Sequence, residues 1–184
     1  MTTKTWKYDG FVIRTETAED IAKIRQLNKD VFGQENEARL VDQLRDGGHF
    51  IPQMSLVAVS AQGEVTGHIL LSEITGLTDK GPVKTGAIAP GAVAKQHRSL
   101  KLAKGLADCL LEQARLLEFE LIMLLARPRV YNRLGFSAEL ARKIESVYSD
   151  AGDAFQALEL KQGVISETAW ARVTYTAPFV ECDG

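Results

Sequence analysis

The run Ala94-Lys95-Gln96-His97-Arg98-Ser99-Leu100-Lys101-Leu102-Ala103-Lys104-Gly105 sets the cations Arg98, Lys101 and Lys104 where one apolar stretch ends and a strongly periodic one begins. A chain that leaves a strand there and enters a helix presents amides with no intrahelical acceptor. Free N–H groups and the positive end of the helix dipole converge on one spot, which suits an anion. Cations at a helix start oppose the dipole, so they are poor choices unless negative charge is to arrive. The turn reads as a seat for phosphate, against the plainer reading of a solvated helix start. Lys95, Arg127, Arg129 and Arg133 would deepen the basic rim or serve only solubility.

The elements that must hold this turn follow from periodicity and punctuation. Residues 86–93 read as a strand, and Pro90-Gly91 inside it marks a bulge where the backbone leaves its ladder. Leu102, Leu106, Cys109, Leu110, Ala114 and Leu117 recur on one face of a helix over 101–119. Leu121-Ile122-Met123-Leu124-Leu125 is a continuous apolar run, the pattern of a strand covered on both sides. Pro128 suits the first turn of a short helix through Leu134 that Gly135 closes.

Upstream, residues 11–15 form a first strand, and Thr17 with Asp20 resembles a capping box with the shorter acid. Ile21, Ile24, Leu27 and Val31 then define a helix ended by Gly33. A second helix over 35–45 turns Leu40, Val41 and Leu44 inward and stops at Gly47-Gly48. Residues 55–59 and 64–74 are strands joined through Ala61-Gln62-Gly63, residues 75–83 read as a loop, and further strands are expected near 155–161 and 173–176. Strands, then a strand–helix–strand crossover, then more strands predict a mixed α/β or α+β sheet rather than a doubly wound one.

Composition narrows the function classes. A chain of 184 residues with 45% hydrophobic content is the size of one globular domain, and a net charge of −2 argues against a surface built for nucleic acid or anionic membrane. Cys109 and Cys182 are expected as free thiols in a reducing cytoplasm. The N-terminal residues have no apolar core of a signal peptide, and no apolar run approaches the ~20 residues that span a bilayer. Dinucleotide, Walker A and G-x-S-x-G patterns are absent, and His49, His68 and His97 are too scattered for a metal site. His68, mid-strand among apolar residues, reads as a structural histidine.

Val93 through Lys104, followed by Tyr131-Asn132-Arg133-Leu134-Gly135-Phe136, resembles the GCN5-related N-acetyltransferase (GNAT) superfamily. That family opens its long helix with Arg/Gln-x-x-Gly-x-Gly/Ala and carries Tyr-x-x-x-Gly-Phe downstream. Glu37-Ala-Arg-Leu-Val-Asp-Gln-Leu-Arg45, Gly67-His-Ile-Leu-Leu-Ser72 and Phe155-Gln-Ala-Leu-Glu-Leu160 extend the likeness to YhbS-like acetyltransferases over nearly the whole chain. Two departures stand out: Lys101 occupies the position where the family prefers Gly, and Arg127-Pro128 stands where YhbS-like sequences carry Gly-Asp-Pro.

The resemblance implies an α+β GNAT-like fold: a central, mostly antiparallel sheet with a parallel splayed strand pair, flanked by helices. It implies one N-acetyltransferase domain over 1–184, with a core of about 11–161 and a C-terminal strand extension over 162–184. Acetyl-CoA would be the co-substrate, with no metal and a small-molecule or peptide amine as acceptor; nucleic acid and membrane are not expected partners, and a homodimer is left open. Ala92 and Val93 would present backbone to the pantetheine arm, and Arg98, Ser99, Lys101, Leu102, Ala103 and Lys104 would seat the diphosphate. Tyr131 would protonate the departing thiolate as general acid, against the alternative of an aromatic that only packs. Glu37, Glu73 or a water chain would collect the amine's proton. Two other readings stay open: an eroded module that binds CoA or acyl-CoA as a sensor, and an RNA contact on the basic rim, which the net charge and lack of interleaved exposed aromatics disfavour.

Overall fold

The computed structural model describes residues 4–182. Strand β1 (Thr5–Tyr8) and β2 (Phe11–Thr15) lead into α1 (Ile21–Phe32) and α2 (Asn36–Asp46). Then follow β3 (Ser55–Val59), β4 (Val65–Thr78), β5 (Gly81–Val93), α3 (Leu100–Leu116) and β6 (Leu121–Leu125). The chain ends through α4 (Pro128–Tyr131), α5 (Ala138–Ala141), β7 (Ile144–Glu145), β8 (Phe155–Glu159), β9 (Ala171–Thr174) and α6 (Ala177–Cys182).

Among the described residues the strands form one sheet in the order β1-β2-β3-β4-β5-β6-β8, with β9 on β4 and β7 on β9. Pairing is antiparallel except for β5–β6 and the short β7–β9 pair. The fold is thus the mixed α+β sheet that the order of elements predicts, mostly antiparallel with one parallel central pair, β5–β6, as the resemblance implies. Residues 75–83 depart from expectation. They are no loop: β4 and β5 run on as one long hairpin, with Thr78 paired to Gly81. Gly76, read as a turn former, is there because a Cβ would lie 2.0 Å from Thr85 Oγ1 on the neighbouring strand.

Alternation along the strands sorts side chains onto two faces. Leu121 and Met123 join Val57, Leu70 and Ile74 beneath α1 and α2. Ile122 and Leu124 join Ile69, Leu71, Leu102, Leu106 and Leu110 beneath α3. Burial on both sides is why β6 carries no polar residue. β1 was not anticipated, and it is fastened from outside: Lys4 Nζ and Trp6 Nε1 reach Glu112 of α3 at 2.6 and 2.9 Å.

Helix ends obey local chemistry. Gly33 and Gly135 adopt left-handed conformations, φ 75° and 93°, that close α1 and the turn after α4. Asp20 accepts from Thr17 N–H at 2.8 Å and takes a bidentate pair from Arg14 at 2.6 and 3.1 Å. Burial works against its charge, but the Arg14 and Thr17 hydrogen bonds outweigh that and hold its pKa down to about 2.

Candidate active site

Beyond Ile88, β5 stops behaving as β6's neighbour. Their parallel ladder runs only from Thr85↔Leu121 to Ile88↔Leu124, although β5 continues to Val93. The cause lies on β5's other edge. Between Ile69↔Gly91 and Leu71↔Ile88 the register with β4 slips, so that Ala89 and Pro90 stand opposite Leu70 alone. This is the bulge that Pro90-Gly91 predicts, and it bends β5 away from β6.

The parting strands open a cleft of about 790 Å³ that runs from one face of the sheet to the other. At one end stand Val93, Arg98, Ser99, Ala103 and Arg127; Tyr131 and Gly91 line it as well. Its far end is walled by Phe32, Glu37 and Leu40 from the α1–α2 side and by Tyr148, Tyr175 and Phe179 from the C-terminal part of the chain.

Backbone groups at the near end are available. Ala94 N–H donates to Thr66 O at 2.8 Å, towards β4. Donor direction alternates along an antiparallel strand, so the Val93 N–H points the opposite way, to the parted edge. Ser99 caps α3: its Oγ accepts from Leu102 N at 3.1 Å, and its carbonyl accepts from Ala103 N at 3.3 Å. The N–H groups of Leu100 and Lys101 are left without an intrahelical acceptor.

Tyr131 ends α4 and stands edge-on to Phe136, 5.6 Å between ring centroids at 82°. Its hydroxyl lies against β5: a Cβ placed on Gly91 would come within 3.3 Å of that oxygen. Gly91 therefore admits the phenol, a pairing that sequence reasoning missed because only the fold brings residues 91 and 131 together. Burial pushes the Tyr131 pKa above that of an ordinary phenol, so it carries its proton at neutral pH.

Of the residues singled out from sequence, Val93, Arg98, Ser99, Ala103 and Tyr131 meet in this one cleft. Ala92 and Leu102 are not on its wall; both are core residues, at 2% and 1% exposure. Lys104 pairs with Asp108 at 2.6 Å one turn along α3, and Lys101 is exposed outside the cleft wall. Of the two acids weighed as proton acceptors, Glu37 lines the cleft and Glu73 does not. His68 is fully buried away from it, between Ser55 and Asn28. Cys109 is also core, and burial pushes its thiol up to about 12, which removes it as a nucleophile. Among the described residues no cluster of His, Cys, Asp and Glu could hold a metal, and no helix is long and apolar enough to cross a membrane.

A sheet opened between a bulged strand and its parallel neighbour, with a capped helix N-terminus at the opening, is the architecture of the GCN5-related acyltransferases. The chain belongs to the GNAT acetyltransferase family: the model of the acetyltransferase (GNAT) domain matches residues 12–138. The uncharacterized N-acetyltransferase YhbS of Escherichia coli K12 is 26% identical over 155 residues, which cover 84% of this chain and 90% of that relative. The uncharacterized N-acetyltransferase YjhQ of the same strain is 27% identical over 126 residues, 68% of this chain and 69% of YjhQ.

Solved structures agree on the fold. YhbS from Escherichia coli, crystallised with CoA, superposes with a TM-score of 0.81 at 24% identity, covering 98% of this chain and 96% of its own. A GNAT family acetyltransferase from Brucella melitensis, crystallised with acetyl-CoA, gives a TM-score of 0.70 at 26% identity over 91% and 96% of the two chains.

Proposed function

We propose that this chain transfers an acetyl group from acetyl-CoA to a primary amine, by direct attack with both reactants in the cleft. The observation that carries the reading is the parting of β5 from β6 beyond Ile88, with the start of α3 at one side of the opening and the Tyr131 hydroxyl against Gly91. Acetyl-CoA supplies an activated acyl thioester; the chain holds it, polarises it and manages protons.

The free amides of Leu100 and Lys101 and the Arg98 guanidinium form the diphosphate seat, where helix dipole and charge act together. Ser99 fixes that seat by capping α3. Val93 offers the arm a strand edge, with its N–H donating to the thioester carbonyl as negative charge grows on its oxygen. Ala92, whose backbone faces β4, anchors the strand that carries it. The side chains of Lys101 and Lys104 add only long-range charge, while Leu102 and Ala103 build the turn from below.

The amine nitrogen attacks the carbonyl carbon, forming the C–N bond, and the C–S bond breaks. Tyr131 gives its proton to the leaving sulfur and is reprotonated from solvent; the nitrogen sheds its extra proton to water. No residue is acylated, in keeping with the inert Cys109. Holding both reactants in one opening supplies much of the rate. The chain acts as one acetyltransferase domain, since β9 extends the sheet along β4 and α6 walls the acceptor side.

Release of free CoA thiol from acetyl-CoA, followed over a panel of amines, tests the reading. Amine-dependent release supports it. Tight acetyl-CoA binding with no release under any amine would instead make the chain a CoA-sensing module.

A further inference from the structure

The acceptor end of the cleft differs in chemistry from the diphosphate end. Cations sit at the near side, in Arg98 and Arg127. The far side has, among the described residues, one charged side chain on its wall, Glu37. Among the described residues the Glu37 carboxylate contacts the neutral Gln34 amide, at 3.1 and 3.2 Å, and no cation pairs with it.

Two acids close to it in the chain are paired, Glu35 with Arg25 and Lys29 and Asp42 with Arg25 and Arg45. Glu37, like the exposed Asp30, is met only by a glutamine amide; unlike Asp30, it is half-buried on the cleft wall. A half-buried carboxylate without a counter-ion favours an incoming cation.

Around that charge the wall is apolar and aromatic. Tyr148 stands edge-on to Tyr175 with centroids 4.6 Å apart, and Tyr175 to Phe179 at 5.3 Å. The Tyr148 hydroxyl is engaged by the Phe179 carbonyl at 3.3 Å, which turns the polar tip to the backbone and holds α6 against the ring cluster. Phe32 and Leu40 complete the facing side. Such a surface receives a ring or branched hydrocarbon, and Glu37 repels a second carboxylate brought beside it.

Resting on the acetyl-transfer reading above, we infer that the acceptor is a small monoamine on an aromatic or branched apolar body, without a carboxylate, whose ammonium is collected by Glu37 before it deprotonates and reacts. Glu37 is then a specificity-determining residue and not the base. Amino acids, acidic peptides and polyamines are the acceptors this end of the cleft rejects.

The matched pair 2-phenylethylamine and phenylalanine, which differ by one carboxylate, tests this directly. With the full chain and saturating acetyl-CoA, thiol release should give 2-phenylethylamine a kcat/KM at least about ten-fold above phenylalanine's and above spermidine's. Glu37→Gln should raise the KM for 2-phenylethylamine about ten-fold while kcat changes by less than about three-fold, and Glu37→Asp should recover part of the loss. Calorimetric titration of the same variants with acetyl-CoA should match the wild type, which also shows that they are folded. Equal or better turnover of phenylalanine or spermidine, an unmoved KM in Glu37→Gln, or a kcat collapse with KM unchanged would each overturn the inference. In all three of those results acetyl-transfer itself would stand. Failure of the wild type to bind acetyl-CoA would instead remove the reading beneath it, and the inference with it.

Discussion

His68 should make the fold acid-sensitive in a window where few other side chains titrate. Its ring is fully buried, with Asn28 Nδ2 at 3.4 Å from Nδ1 and Ser55 Oγ at 2.9 Å from Nε2. The amide donates to Nδ1, so Nε2 carries the proton and donates to Ser55, whose hydroxyl in turn donates to Glu16. Arg45 holds Glu16 with both guanidinium NH2 contacts at 2.9 Å. Only a neutral imidazole fits this chain of donors. Burial, aided by the positive charge of Arg45, depresses its pKa from 6.5 to about 3.

Because the folded value lies below the unfolded one, the unfolded chain takes up the proton first and acid favours unfolding. The stability is fully present above 6.5 and drains away as pH falls from there towards about 3. Between pH 7 and 5 that shift amounts to a loss of about 2 kcal/mol. Asp20 adds loss of the same sign, but only as pH falls from 3.8 towards about 2, outside this window. Urea unfolding at pH 7, 6 and 5 measures the effect. His68→Gln has no imidazole to protonate; it should be less stable at pH 7 by about 1–3 kcal/mol, with a visibly flatter dependence on pH. Wild type and variant curves that run parallel from pH 7 to 5 would refute the assignment of a buried neutral imidazole.

Three substitutions probe the site and its support. Tyr131→Phe keeps the ring against Phe136 and removes the acid; turnover should fall about 100-fold with acetyl-CoA affinity held within about three-fold, and unchanged turnover would retire Tyr131 from the chemistry. Arg98→Ala should weaken acetyl-CoA binding about ten-fold by calorimetry, and an unchanged affinity would detach Arg98 from the diphosphate. Gly105→Ala reverses the usual expectation for a helix interior, where alanine gains about 1 kcal/mol. A Cβ there would meet Tyr8 ring atoms at 2.5, 2.6 and 2.8 Å, so displacing Tyr8 and β1 should give a net loss of about 1–2 kcal/mol; a rise in Tm would contradict that packing.

What could be read from sequence was what local chemistry dictates. The apolar stripe of α3, the doubly covered β6, the glycines that end α1 and the α4 turn, and the Pro90-Gly91 bulge all state their structure within a few residues. The bulge is the most consequential, since it bends β5 and so opens the cleft. What could not be read depends on partners far along the chain. β1 is a four-residue edge strand held by Glu112, more than a hundred residues away. Gly76 and Pro82 look like turn formers but sit in a paired hairpin, because β4 and β5 support each other along their whole length. The acceptor wall assembles Phe32, Glu37, Tyr148, Tyr175 and Phe179 from distant segments with no shared period, and the helix α6 that carries Phe179 lies within 162–184, which the resemblance implies only as a strand extension. In the basic turn, residue type pointed to a charged seat, but only geometry separates Arg98 on the cleft wall from Lys104 paired with Asp108.

The diphosphate seat at the start of α3 is tested most directly by titrating the full chain, at low salt, with acetyl-CoA and with S-acetylpantetheine, which keeps the thioester and arm but lacks the nucleotide diphosphate. Acetyl-CoA should bind with one-to-one stoichiometry and at least about ten-fold more tightly, with the gap narrowing as salt rises. Equal affinities, or no binding of acetyl-CoA at all, would contradict a seat built from the Leu100 and Lys101 amides and Arg98.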